Sequence, residues 1–170
     1  MKPETLEDLF YEDLQELYDV ERQLVAALPK MARAAASGRL REAFEHHLRQ
    51  TAVHVQRLSE CFEDTKHAPK RRTAEGMKAL ISEGEQTIHE IEQSPLRDAA
   101  LIGIARCAEH HEIAFYSSVL SLAQFLGYQR SAALLEQTLE EERMADVKLR
   151  QIADTAVNQE ALQLGAHQRG

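Results

Sequence analysis

Four stretches of this chain carry apolar residues at alternating steps of four and three. That spacing lays the apolar side chains along one face of an α-helix and turns the face toward other helices. The first stretch runs Phe10, Leu14, Leu17, Glu21, Leu24, Leu28, Met31, and the second Leu40, Phe44, His47, Thr51, His54, Leu58, Cys61. A third runs Leu101, Ala105, Ala108, Glu112, Phe115, Val119, Leu122, Leu126, and the last Ser131, Leu135, Thr138, Glu142, Ala145, Leu149, Ile152. An offset of 91 residues carries Glu21 onto Glu112 and Thr51 onto Glu142, so the four seams form two copies of one helical hairpin.

Punctuation places the helix ends. Ser37-Gly38 stops the first helix, Ser94-Pro95 supplies an N-cap followed by proline at the first helical position, and Gly127 stops the helix that follows. Five helices are expected, near 5–36, 39–64, 74–93, 95–126 and 129–155, the third of them short and irregular (Met77, Leu80, Ile81, Ile88, Ile91). Pro29 lies inside the first, where loss of a backbone hydrogen bond predicts a kink. Between Asp64 and Thr73 the chain is polar and basic and reads as a loop; the cluster Lys66, Lys70, Arg71, Arg72 lacks interleaved aromatics and reads as solvated.

Short links within each hairpin make its helices antiparallel, whereas the long connection holding the third helix can cross the bundle. The expected fold is therefore all-α, a ferritin-like four-helix bundle over residues 1–156, with 157–170 as a flexible tail. Composition agrees. Trp is absent, aromatics make up 5%, and there are only 7 Gly and 4 Pro in 170 residues, a helix-forming inventory that excludes an all-β fold. A net charge of −8 argues against a nucleic-acid partner. No apolar run reaches the roughly 20 residues of a membrane span, and no leader is apparent, which points to the cytoplasm. Cys61 and Cys107 lie within helices and read as reduced, mostly buried thiols.

Chemistry enters where the seams are interrupted. Buried carboxylates are rare unless paired or bound to metal. Counting back and forward from the turn at Ser37-Gly38 sets His54 level with Glu21, and the same count sets Glu142 and Asp146 on either side of Glu112. A dinuclear iron or manganese site in such a bundle takes one Glu from each of two helices and a Glu-x-x-His pair from each of the others. Glu21 and Glu112 fill the single positions. Thr51-x-x-His54 keeps only the imidazole, and Glu142-x-x-Ala145 only the carboxylate, so Glu109 and Asp146 are the substitute oxygens, with Gln50 and His47 in reserve.

Each of these residues has a plainer alternative. A seam histidine such as His47 can be hydrogen-bonded core, a seam glutamate can pair with arginine or set bundle register, and His110 and His111 suit a helix flank. In the run Glu140-Glu141-Glu142 the first two read as a solvated face. Coincidence of level favours metal for Glu21, Glu112 and Glu142 taken together.

The segments Leu17-Tyr18-Asp19-Val20-Glu21-Arg22-Gln23-Leu24, Arg97-Asp98-Ala99-Ala100-Leu101-Ile102, Glu109-His110-His111-Glu112-Ile113-Ala114 and Thr138-Leu139-Glu140-Glu141-Glu142 resemble the YciE/YciF family of ferritin-like bacterial stress proteins, over about residues 4–156. The resemblance implies a homodimeric ferritin-like bundle linked to stress responses, with a candidate dinuclear Fe or Mn site and no established activity. Gln50 stands where relatives can carry Glu. Two functions follow as expectations: a carboxylate metal site that reacts with oxygen or peroxide, or a non-enzymatic structural or interaction protein whose polar layer only sets helix register.

Overall fold

In the computed structural model, which describes residues 3–70 and 72–167 with side chains to residue 164, the helices are α1 (Leu6–Ala34), α2 (Gly38–Asp64), α3 (Glu75–Glu90), α4 (Pro95–Leu126) and α5 (Gln129–Ile152). A π-helical turn, Ala153–Val157, leads into α6 (Asn158–His167). Met1, Lys2, Arg71 of the basic cluster and residues 168–170 of the expected tail lie outside the described residues. The helix starts follow local chemistry. Thr5 and Asp8 form a reciprocal capping box on α1, and the Ser37 and Ser94 hydroxyls cap α2 and α4. Gly127 ends α4 at φ +79°, a left-handed conformation that only glycine adopts without strain.

α1 packs chiefly on α2 and α4 on α5, and the two hairpins meet through α2 against α5 and α1 against α4. α4 begins beside the α1–α2 turn, where Asp98 accepts from the Ala36 and Ser37 amides at 2.8 and 2.6 Å and Arg97 Nη2 donates to the Ala34 carbonyl at 2.6 Å. α5 begins at the end of α2, where Asp64 accepts from the Ser131 amide and hydroxyl. Both junctions require the crossover to climb back along the bundle, and α3 does so against α4 and α1. The start of α3 is fixed by Asp19, which accepts from the Ala74 amide at 2.9 Å, while Gln23 donates to the Ala74 carbonyl at 3.2 Å. The fold is thus all-α and ferritin-like.

α1 is helical on both sides of Pro29. Three details differ from expectation. On α4 the buried stripe below Glu112 is Tyr116, Val119 and Ala123, while Phe115 and Leu122 are half-buried, so the buried row lies partly one residue past the expected seam. The chain past residue 156 is helical to His167 rather than a frayed tail, because Val157 is fully buried in the core cluster and anchors the turn that starts α6. Finally, Cys61 is buried but Cys107 is exposed.

Two apolar clusters fill the interior. One joins Phe10, Leu14, Leu17, Leu58, Phe62, Tyr116 and Leu135. The other joins Leu24, Leu28, Leu40, Phe44, Met77, Ile102 and Leu149. Between their sequence levels every helix of the bundle contributes a buried polar residue.

Candidate metal centre

Six acidic and imidazole side chains from all four bundle helices meet in this layer. Glu21 of α1, His54 of α2 and Glu142 of α5 bring ligand-type atoms within 4.8 Å of one another, and so do His47 of α2, Glu109 and Glu112 of α4, and Glu142 again. Glu142 belongs to both groups and lies between them. Glu21, His54, Glu112 and Glu142 are each 0% exposed, His47 6% and Glu109 4%.

The level count from the turn holds: His54 Nδ1 stands 3.4 Å from Glu21 Oε1 and 2.8 Å from Glu142 Oε1. His47, set by axial rise about 10 Å from His54, has its ring centroid only 6.4 Å away. Its Nε2 is 3.3 Å from Glu109 Oε1 and 3.6 Å from Glu142 Oε2. His47 thus meets the Glu109 and Glu142 carboxylates of the layer through the ring edge that carries Nε2.

Asp146 does not join the layer. One residue past the seam, it is rotated outward and pairs with Arg106 Nε at 2.7 Å, with His110 at 3.5 Å. Thr51, in the carboxylate position of the incomplete pair on α2, turns its hydroxyl to the His47 carbonyl of its own helix at 2.9 Å. Neither Glu-x-x-His pair is completed, and the further side chains that reach the layer are His47 on α2 and Glu109 on α4. His47 lies a turn before Thr51 and Glu109 a turn before Glu112.

Supporting contacts fix the ligand atoms. His54 Nε2 donates to Glu141 at 2.7 Å, and Arg57 grips both Glu141 oxygens at 2.8 and 2.9 Å. This bond turns Nδ1 toward Glu21 and Glu142, the arrangement by which a metal-binding histidine is oriented through its other nitrogen. Glu141 is thus not part of a solvated face, although Glu140 is exposed. Tyr116 donates to Glu21 Oε1 at 2.5 Å. The sequence reading missed Arg57, Tyr116 and the role of Glu141. Arg57 stands three residues from His54 and Tyr116 four from Glu112, each the spacing of neighbours on a helix face.

Electrostatics mark the layer as a place where charge is out of balance. Burial, with Glu142 facing them, pushes Glu109 and Glu112 well above the usual carboxylate range, and burial raises Glu21 too. Burial opposes charge on His54, but the Glu142 and Glu21 carboxylates overcome it and hold the imidazole up to about 11. Burial also opposes ionisation of Glu142, yet His47 and His54 keep it below its usual range. His47, buried and beside His54, is pushed down.

These residues fit a metal pair. Glu21 Oε2, both Glu112 oxygens and Glu109 Oε2 are buried without a hydrogen-bond partner, and His54 Nδ1, His47 Nε2 and the Glu142 oxygens meet only one another and the other carboxylates of the layer, a concentration of ligand-type atoms that a folded protein rarely tolerates in one place. Four carboxylates also match the charge of two divalent ions. Oxygen donors with imidazole suit first-row metals such as Fe and Mn rather than the thiolate-rich sites of structural zinc.

The architecture and this layer place the molecule among ferritin-like four-helix bundles. A family profile described as "Domain of unknown function (DUF892)" matches residues 5–162. Protein YciF of Escherichia coli K12 is 40% identical over 162 residues, covering 95% of this chain and 98% of YciF. The crystal structure of the E. coli stress protein YciF superposes with TM-score 0.89, covering 92% of this chain and 99% of that one. YcfI of Rhodopseudomonas palustris, described as a candidate structural protein, is 33% identical with TM-score 0.83, covering 86% of this chain and 94% of its own. A Xanthomonas campestris protein at 20% identity and TM-score 0.77, covering 95% of this chain and 99% of its own, shares the fold. The chain belongs to the DUF892 family, to which the resemblance to YciE/YciF pointed.

Proposed function

We propose that this protein binds two first-row divalent metal ions, Fe or Mn, between its four bundle helices, and that the site reacts with oxygen or peroxide as part of a stress response. The observation that carries the reading is the concentration of buried carboxylate oxygens and imidazole nitrogens in two ligand groups that share Glu142. Glu21 and His54 would hold one ion and His47, Glu109 and Glu112 the other, with Glu142 belonging to both groups. Bound metal supplies redox electrons and a Lewis acid. The protein's own share is to orient the ligands, His54 through Glu141 and Arg57, Glu21 through Tyr116, and to keep bulk water out. The stress context is carried from YciF, described as a stress protein. A homodimer in the cytoplasm completes the proposal; no helix among the described residues is long and apolar enough to cross a membrane.

A structural role is the second reading. It is favoured by the incomplete Glu-x-x-His pairs and by the description of YcfI. Thermal melts of the wild type, Glu112→Leu and Glu142→Leu, with and without Fe(II) or Mn(II), separate the two. A ligand that binds only the folded state raises the melting temperature by mass action, so metal binding predicts a rise in the wild type that either substitution reduces. A register-setting layer predicts no response to metal and variants as stable as the wild type or more so. Peroxide consumption by the metal-loaded protein tests the reactive half of the proposal.

A further inference from the structure

Two cavities reach His47 and Glu109: a narrow apolar cleft beneath α3, lined by Leu28, Met31, Leu80 and Ile81, and a far roomier groove on the opposite face. The groove, of about 800 Å³, runs between α2 and α5, walled by Glu42, His46 and Gln50 on one side and by Met144, Ala145 and Lys148 on the other, and its floor is His47 and Glu109. These two are the members of the layer with residual exposure, whereas Glu21, His54, Glu112 and Glu142 have none. Ala145 occupies the place where a complete Glu-x-x-His pair would put an imidazole. A methyl group there leaves the space beside His47 unfilled, and Glu109 Oε2 is buried and unpartnered at its end.

We infer that this groove is the port through which small solutes reach the layer, and that Ala145 and Gln50 set its width. Arg39, Lys148 and Glu42 also line it, so the passage carries charges of both signs and admits small solutes, a neutral peroxide or a divalent ion, by size, while Lys148 slows a cation relative to a neutral solute. What the port delivers to rests on the metal reading. The access itself is a property of the metal-free protein and is tested there.

The probe is diethyl pyrocarbonate, which labels accessible imidazole nitrogens, with labelling of each histidine followed by peptide mass spectrometry in metal-free protein. Exposed His89, on α3 and absent from the groove lining, is the internal reference. His47, whose ring nitrogens are shielded, should label more slowly than His89 but faster than the protein unfolds. Ala145→Trp, or Gln50→Trp from the opposite wall, should slow His47 tenfold or more and leave His89 unchanged. His47 labelling that waits on unfolding in the wild type, or that is unaffected in a folded variant, overturns the port. In parallel, Mn(II) uptake should reach the same final level in Ala145→Trp but tenfold more slowly, and Lys148→Glu should speed it at least twofold at low salt. Unchanged uptake rates would count against the port. A wild type that takes up no Mn(II), yet shows Ala145-dependent labelling, would sink the metal reading and leave the port standing.

Discussion

Glu142 is the residue on which most of the chemistry turns, since it faces His54, His47 and both glutamates of α4. Its neighbours make the metal-free protein sensitive to pH in a definite direction. Glu21, Glu109 and Glu112 have folded-state affinities for protons raised above those of the unfolded chain, so the stability they give is present at low pH and falls as pH rises above about 4.5. His54 acts in the same direction, its contribution being full below about 6.5 and lost as pH rises through about 11. His47, pushed down, opposes them as pH falls below about 6.5, but it is one group against four. Metal-free protein should therefore melt at a lower temperature at pH 8 than at pH 5.5, and Glu112→Gln should flatten that slope. Added metal should raise the melting temperature most at pH 8, where protons no longer compete for the ligands. Removing the grip on His54 is a second test: Glu141→Gln or Arg57→Met should weaken metal binding about 10- to 100-fold in equilibrium dialysis, the usual effect of losing a partner that orients a ligand.

Among the elements, α4 connects the site to the frame. The Arg97-Asp98 pair at its start clamps the α1–α2 turn, with Arg97 also donating to the Ile88 and Ile91 carbonyls at 3.3 and 3.1 Å. Asp98→Ala would leave two amides of that turn unpaired and should destabilise the protein by roughly 2–4 kcal/mol in denaturant melts, from loss of charge-assisted buried hydrogen bonds. Two of the motifs that carried the family resemblance thus have structural reasons: Asp98 and Arg97 hold a turn, and Asp19 and Gln23 hold the start of α3. Helix boundaries were legible in the sequence because Ser-Gly, Ser-Pro and Gly punctuate them in known ways. The lower seam of α4 was not, because Tyr116 and Ala123 stand directly after the apolar Phe115 and Leu122, and two adjacent apolar rows leave the spacing unable to say which is the more buried. The π-helical turn and α6 were hidden for the opposite reason, since Leu162 and Leu164 stay exposed and leave no apolar face to read.

Over the whole molecule, the 91-residue offset explains why four polar interruptions fall at one level and why the layer divides the interior into two apolar clusters. Glu21, His54, Glu112 and Glu142 could be placed there from seam spacing and turn position alone. Glu109 and His47 needed the packed bundle to show how closely they approach Glu142, and Asp146 was lost because a single step of helical rotation sends it to Arg106. The central claim is that this layer holds two metal ions. Its most direct test is metal analysis of the wild type and Glu142→Leu after reconstitution with Mn(II) or Fe(II) and exhaustive removal of free ion. The account predicts about two ions per wild-type chain and a loss at both positions in Glu142→Leu, because Glu142 belongs to both ligand groups. Wild-type protein that retains no ion, or a Glu142→Leu variant that retains the full complement, would contradict it.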